Sequence, residues 1–142
     1  MVVKNPVAAA VATLVFNENR LLLGRRICGE VFAGWQCPGG YLPQGHNVEQ
    51  AARYYCLDKA GIEITDMHAG PYTNNIFPDT PRMQHTVSLY QIAQFHRAIN
   101  REKFEDKTIQ WGWFELQVLP SPQFLPLKLL LEHYDLRQLA GI

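Results

Sequence analysis

The side chains with the most to offer chemically fall in three places. Arg25 and Arg26 stand side by side, and a guanidinium group can grip two phosphate oxygens through parallel N–H bonds. Tyr55, Asp58 and Lys59 are spaced i, i+3, i+4, so on a helix their side chains leave one face together and can converge on a point. That point would carry a phenol, a carboxylate and an ammonium, of which only Asp58 is a hard-cation ligand. His46 and His85 add two imidazoles, the side chain most often used as a general base.

The element that must position the second of these groups is legible in PGGYLPQGHNVEQAARYYCLDKAGI, residues 38–62. It reads as a Gly-Gly loop at Gly39 and Gly40, then a capped amphipathic helix, then a glycine stop. Asn47 can cap the helix, and Gln50 three residues on can close a capping box. Val48, Ala51, Ala52, Tyr55 and Cys56 recur at helical spacing and predict a largely apolar face that ends at Lys59. Gly61 suits the left-handed position that terminates a helix.

This stretch resembles the Nudix box, G-x5-E-x7-R-E-U-x-E-E-x-G-U with U a bulky apolar residue. With Gly40 as the first glycine, Cys56 takes the first apolar position, Gly61 the last glycine and Ile62 the last apolar residue, without a gap. The acidic residues are not kept. His46 stands in place of the loop glutamate, Tyr54 in place of the arginine, and Tyr55, Asp58 and Lys59 in place of the three helix glutamates. The resemblance implies a loop-helix-loop that presents Mg2+ or Mn2+ to a pyrophosphate, here with Asp58 as the one remaining metal ligand. Loss of metal charge stabilisation would cost roughly 4 to 6 kcal/mol, about a thousand- to ten-thousandfold in rate. Ordinary metal-dependent hydrolysis is therefore not the expectation.

The flanking sequence fits the same frame. LLLGRR upstream and WGWF downstream are similar to Nudix segments, and the basic residues Arg25 and Arg26, placed directly after a strand Arg20 to Gly24, are implied to approach substrate phosphates. Phe32 and Trp35 have two readings, stacking on a nucleobase or packing into the core. VAAAVATLVF predicts a strand paired to Arg20–Gly24 through a turn at 17–19. Two short strands, Glu63–His68 and Thr73–Phe77, are expected either side of Gly70 and Pro71, then a loop FPDTPRM. HTVSLYQIAQF predicts a central strand that begins at His85, for which a structural hydrogen bond competes with a contact to base or ribose. The charged run 96–108 predicts a solvated loop, whose Glu102, Glu105 and Asp106 are the outside candidates for a metal ligand or base. Pro126–Leu139 predicts one last helix. The order implies the Nudix α/β/α sandwich, an α/β fold with a mixed β-sheet flanked by helices, as one domain over residues 1–142.

Bulk properties narrow the partner. At 142 residues, 47% apolar and 18% charged, the chain can bury a proper core. Its 13 basic and 13 acidic residues cancel, so no net field draws it to a nucleic-acid polymer or an anionic membrane, and a small anionic ligand is expected. The apolar run 7–16 is too short to span a bilayer and lacks a cleavage region, which excludes a membrane segment there. Cys28, Cys37 and Cys56 show no CxxC pairing, so reduced thiols in the cytoplasm are expected. Three functional readings remain. One is a binder of a nucleoside diphosphate linked to another moiety, as in a nucleotide or nucleotide-sugar. Another is a hydrolase of altered chemistry or with a rebuilt metal site, with Lys59 standing in for metal charge and His46 or His85 as base. The third is an interaction module using an exposed face, a homodimer being one form.

Overall fold

The computed structural model of the protein describes residues 5–78, 80 and 84–142. The strands are β1 (Ala8–Asn17), β2 (Arg20–Cys28), β3 (Val31–Gln36), β4 (Gly39–Tyr41), β5 (Ile62–Ile76), β6 (His85–Ala98) and β7 (Gly112–Glu115). The helices are α1 (Val48–Ala60), α2 (Arg101–Phe104), α3 (Leu125–His133) and α4 (Leu136–Ala140). The main path of the sheet runs β3-β2-β1-β6-β5, with β4 paired to β1 and β7 to β2. β1 and β6 are parallel in unbroken register from Ala8↔Thr86 to Phe16↔Gln94, and the other pairings are antiparallel. This is the mixed-sheet α/β/α sandwich that the sequence implies.

Alternation along β1 creates the two layers. Leu14 and Phe16 join Leu21, Leu23, Tyr90 and Ile92 under Leu127, Leu130 and Leu136 of α3 and α4. Val15 joins Leu22, Ala93 and Trp111 under Cys56 and Ala60 of α1, and Val11 meets Ala51 and Ala52. The helix α1 forms where the sequence places it. Asn47 Oδ1 accepts from the Gln50 amide at 2.8 Å, while Gln50 Oε1 accepts from the Asn47 amide at 3.0 Å. Gly61 takes the left-handed conformation at φ 66° and donates to the carbonyls of Cys56 and Leu57.

Several expected boundaries move, each for a local reason. β2 does not stop at Gly24 but continues through Arg25 and Arg26 to Cys28, because β3 returns alongside it from Gly24↔Gln36 to Cys28↔Val31. Gly39 and Gly40 are a short strand on β1 rather than a free loop. The two strands expected at 63–77 are one, Ile62–Ile76, whose register against β6 shifts three times. The shift between Ala69 and Tyr72 absorbs Gly70 and Pro71, and the strand lies at the end of the sheet path, where a proline is tolerated. β6 extends through His96 and Arg97, where Arg97 Nη2 reaches Glu63 Oε2 at 3.3 Å. The rest of the charged run holds the single turn α2, capped by Asn100. The last helix is broken at Tyr134, and Asp135 caps α4 by accepting from the Arg137 amide at 2.9 Å. Tyr134 is exposed instead of packed. Of the expected loop at 77–83, residues 79 and 81–83 lie outside those described.

Gly61 and Gly141 both adopt positive φ, but a Cβ on Gly61 would overlap the Asn100 carbonyl oxygen, whereas one on Gly141 would meet open space. Gly61→Ala should therefore destabilise by about 3 kcal/mol, against about 1 kcal/mol for Gly141→Ala. Urea unfolding of the two variants measures the difference, and equal losses would contradict the packing at the end of α1.

Candidate functional site

The C-terminal half of α1 is fixed from two sides. On one, the Tyr55 ring packs against Gly40, where a Cβ would overlap it, and the Tyr55 hydroxyl donates to the Tyr41 carbonyl. On the other, the buried Trp111 donates its indole N–H to the Lys59 carbonyl at 2.9 Å. The backbone of Lys59 is thus pinned while its side chain is free to point outward. It enters a cleft of about 360 Å³ between α1, the far end of β2 and the segment 103–111.

That cleft is lined by Arg25, Arg26, Gln36, Asp58, Lys59, Lys103, Asp106 and Trp111 among others. Its cations are oriented by aromatic rings. The Arg25 guanidinium carbon lies 4.8 Å from the Phe32 ring centre, that of Arg26 lies 5.5 Å from the Phe124 ring, and Lys59 Nζ lies 5.3 Å from the Tyr55 ring. Among the described residues the ion pairs are those of Glu63 with His96 and Arg97 and of Arg101 with Glu105, so no carboxylate neutralises Arg25, Arg26, Lys59 or Lys103. Arg26 Nε is buried and has no hydrogen-bond partner among the described residues. Burial, and then the Arg26 charge, hold the Lys59 ammonium below the ordinary lysine range, with Asp58 opposing them.

The structure brings together four of the residues singled out from sequence: Arg25, Arg26, Asp58 and Lys59. Asp106, one of three carboxylates considered in the charged run, joins them. The others lie apart from the lining. His46 is exposed in the turn before α1, its amide donating to the Pro43 carbonyl. His85 Nε2 donates to Asn74 Oδ1 at the start of the β5–β6 pairing, the structural bond weighed against a ligand contact. Gly39 and Gly40 are occupied by β1 and Tyr55. Phe32 packs edge-on against Trp35 and beneath Arg25, so it supports the cleft from behind. Lys103 and Gln36 line the cleft without having been singled out. Lys103 was hidden in a run of mixed charge, and only the docking of α2 beside α1 distinguishes it from its neighbours.

A divalent cation does not fit this donor set. Among the described residues no three His, Cys, Asp or Glu side chains come together. Asp58 is the only carboxylate on its helix face, flanked by the Lys59 ammonium, and the neighbouring Tyr55 hydroxyl is spent on a backbone carbonyl. A hard cation requires several oxygen ligands, and a neighbouring ammonium repels it.

A mixed sheet between two helical layers, with a glycine-stopped helix set against a Gly-Gly strand, defines a Nudix-type sandwich, and residues 6–136 match the NUDIX domain. The chain belongs to the Nudix family. It is 26% identical over 111 residues to an oxidized purine nucleoside triphosphate hydrolase of Danio rerio, covering 78% of this chain and 67% of the relative. The Mus musculus protein of the same description is 23% identical over 113 residues, covering 80% and 69%. Among solved structures, a MutT NUDIX hydrolase from Burkholderia pseudomallei superposes with a TM-score of 0.75 at 23% identity, covering 90% of this chain and 98% of that one. A structure described as an ADP compounds hydrolase gives 0.70 at 16%, covering 95% and 74%. At these identities the structural likeness concerns the fold.

The lowered Lys59 pKa has a consequence for stability. Because folding disfavours the protonated amine, the protein carries the full cost below the folded-state pKa, and the cost fades as pH rises to the ordinary value of 10.5. Lys59→Met should accordingly raise the urea midpoint at neutral pH, with the advantage shrinking as pH approaches 10.5. A variant less stable than the parent at pH 7 would show that Lys59 is not penalised in the cleft.

Proposed function

We propose that this Nudix protein binds a nucleoside diphosphate linked to another moiety, with the diphosphate in the cleft between α1 and β2. The observation that carries this reading is a concave site lined by Arg25, Arg26, Lys59 and Lys103, none of them neutralised, among the described residues, by a carboxylate within ion-pair distance. Cations held unpaired in a partly buried cleft are costly unless an anion completes them. A cavity of about 360 Å³ lies within the range for small-molecule sites. The descriptions of the relatives, which name purine nucleoside triphosphates and ADP compounds, support the class of ligand.

Binding, not ordinary metal-dependent hydrolysis, is the output this donor set favours. Neither imidazole singled out as a base lines the cleft, and Lys59, although positive, offers no means of lowering the pKa of a water. The three thiols suit a reducing compartment such as the cytoplasm, being odd in number and without CxxC spacing.

Differential scanning calorimetry across ADP-ribose, nucleotide-sugars and nucleoside triphosphates tests the reading. A true ligand at about a hundredfold over its Kd should add about 2.7 kcal/mol to stability. Arg25→Ala and Arg26→Ala should each weaken it about tenfold. A full panel without a shift would refute the proposal, and so would rapid Mg2+-dependent release of phosphate or pyrophosphate by the unaltered chain.

A further inference from the structure

We infer that the cleft takes its diphosphate as the free anion, and that the Mg2+ complex of the same molecule is the poorer ligand. The inference rests on the proposed binding of a diphosphate and concerns the form in which that group is recognised. Diphosphates bind Mg2+ through the same oxygens a basic cleft would grip, so a site that rejects the complex differs in kind from one that uses it.

Three features converge on this. The first is how the cations are held. Arg25, Arg26 and Lys59 each lie over an aromatic face, of Phe32, Phe124 and Tyr55 respectively. A ring face orients a cation without cancelling its charge, so most of the N–H donors remain available to phosphate oxygens.

The second is the balance of charge. Lining cations outnumber lining carboxylates two to one, with Arg25, Arg26, Lys59 and Lys103 against Asp58 and Asp106. An incoming Mg2+ would meet this excess at short range in a partly desolvated space, where repulsion is poorly screened. The third is the floor of the cleft: Trp111 pins the Lys59 backbone and Tyr55 locks against Gly40, so the ammonium cannot withdraw through movement of its helix. Magnesium removes two units of negative charge from the diphosphate and occupies the same oxygens the cations would bind. Both effects weaken the contact.

Isothermal titration of ADP-ribose, ADP and inorganic pyrophosphate into the intact chain, first in excess EDTA and then in saturating Mg2+, decides the matter. The expected result is binding in EDTA and a loss of about tenfold or more in Mg2+. Lys59→Ala should weaken EDTA-phase binding about tenfold and shrink the Mg2+ penalty; its backbone bond to Trp111 does not involve the removed atoms. Lys103→Ala, at an exposed position on α2, serves as a second variant with little risk to folding and should weaken binding in the same direction.

Nucleotide binding that requires Mg2+, or is strengthened by it, would overturn the inference while leaving the proposed function standing. Pyrophosphate binding in EDTA without any response to the nucleotides would do the reverse. No heat from any of the three, with or without metal, would remove both.

Discussion

The structure depends on β1 being claimed from both edges and both faces. One edge gives an unbroken parallel ladder to β6; the other is divided, with β2 taking Phe16 and Asn17 and β4 taking Ala10 to Ala12. Its two faces feed the two cores, Leu14 and Phe16 to one, Val11 and Val15 to the other. Because an edge shared in this way leaves no freedom of register, Gly39 and Gly40 are fixed against β1, and the helix that follows must start from a determined point. The capping box and Gly61 then set its length, so the position of residues 55–59 follows from the sheet.

What those positions carry decides the chemistry of the cleft. The same backbone could present carboxylates to a cation. Here the Tyr55 ring is pressed against Gly40, and the Lys59 ammonium lies beside Arg26 in a cleft with unspent N–H donors. Fold and chemistry are separable in this way because the core is set by apolar alternation, while the site is set by a few side chains whose replacement the core does not sense. The basic cluster has aromatic supports: Arg25, Arg26 and Lys59 lie over the rings of Phe32, Phe124 and Tyr55.

The cluster also works against folding. Like charges in a half-buried cleft repel, and the depressed pKa of Lys59 reflects that repulsion together with burial. Most of the stability must come from the two apolar layers, where Leu21, Leu22, Leu23 and Phe16 are fully enclosed. A strained site on a well-packed scaffold is how function is commonly accommodated.

The sequence alone determined the helix 48–60 with both its stops, because a capping box and a left-handed glycine act over three or four residues and need no distant partner. Its resemblance to the Nudix frame, carried by the gapless spacing of the box residues and the order of elements, implied the sandwich. It located Arg25, Arg26, Asp58 and Lys59 as chemically notable, since types and short-range spacing are visible in one dimension. Only the tertiary structure decided that β2 runs on through the arginines, that 62–76 is one strand, and that Tyr134 interrupts the last helix, because each depends on a neighbour supplied from elsewhere in the chain. The tertiary structure likewise gathered Lys103, Gln36 and Asp106 around Lys59 and left His46 and His85 outside the lining. Convergence in space is a property of how elements dock, and side chains on separate elements carry no mark of it in their order.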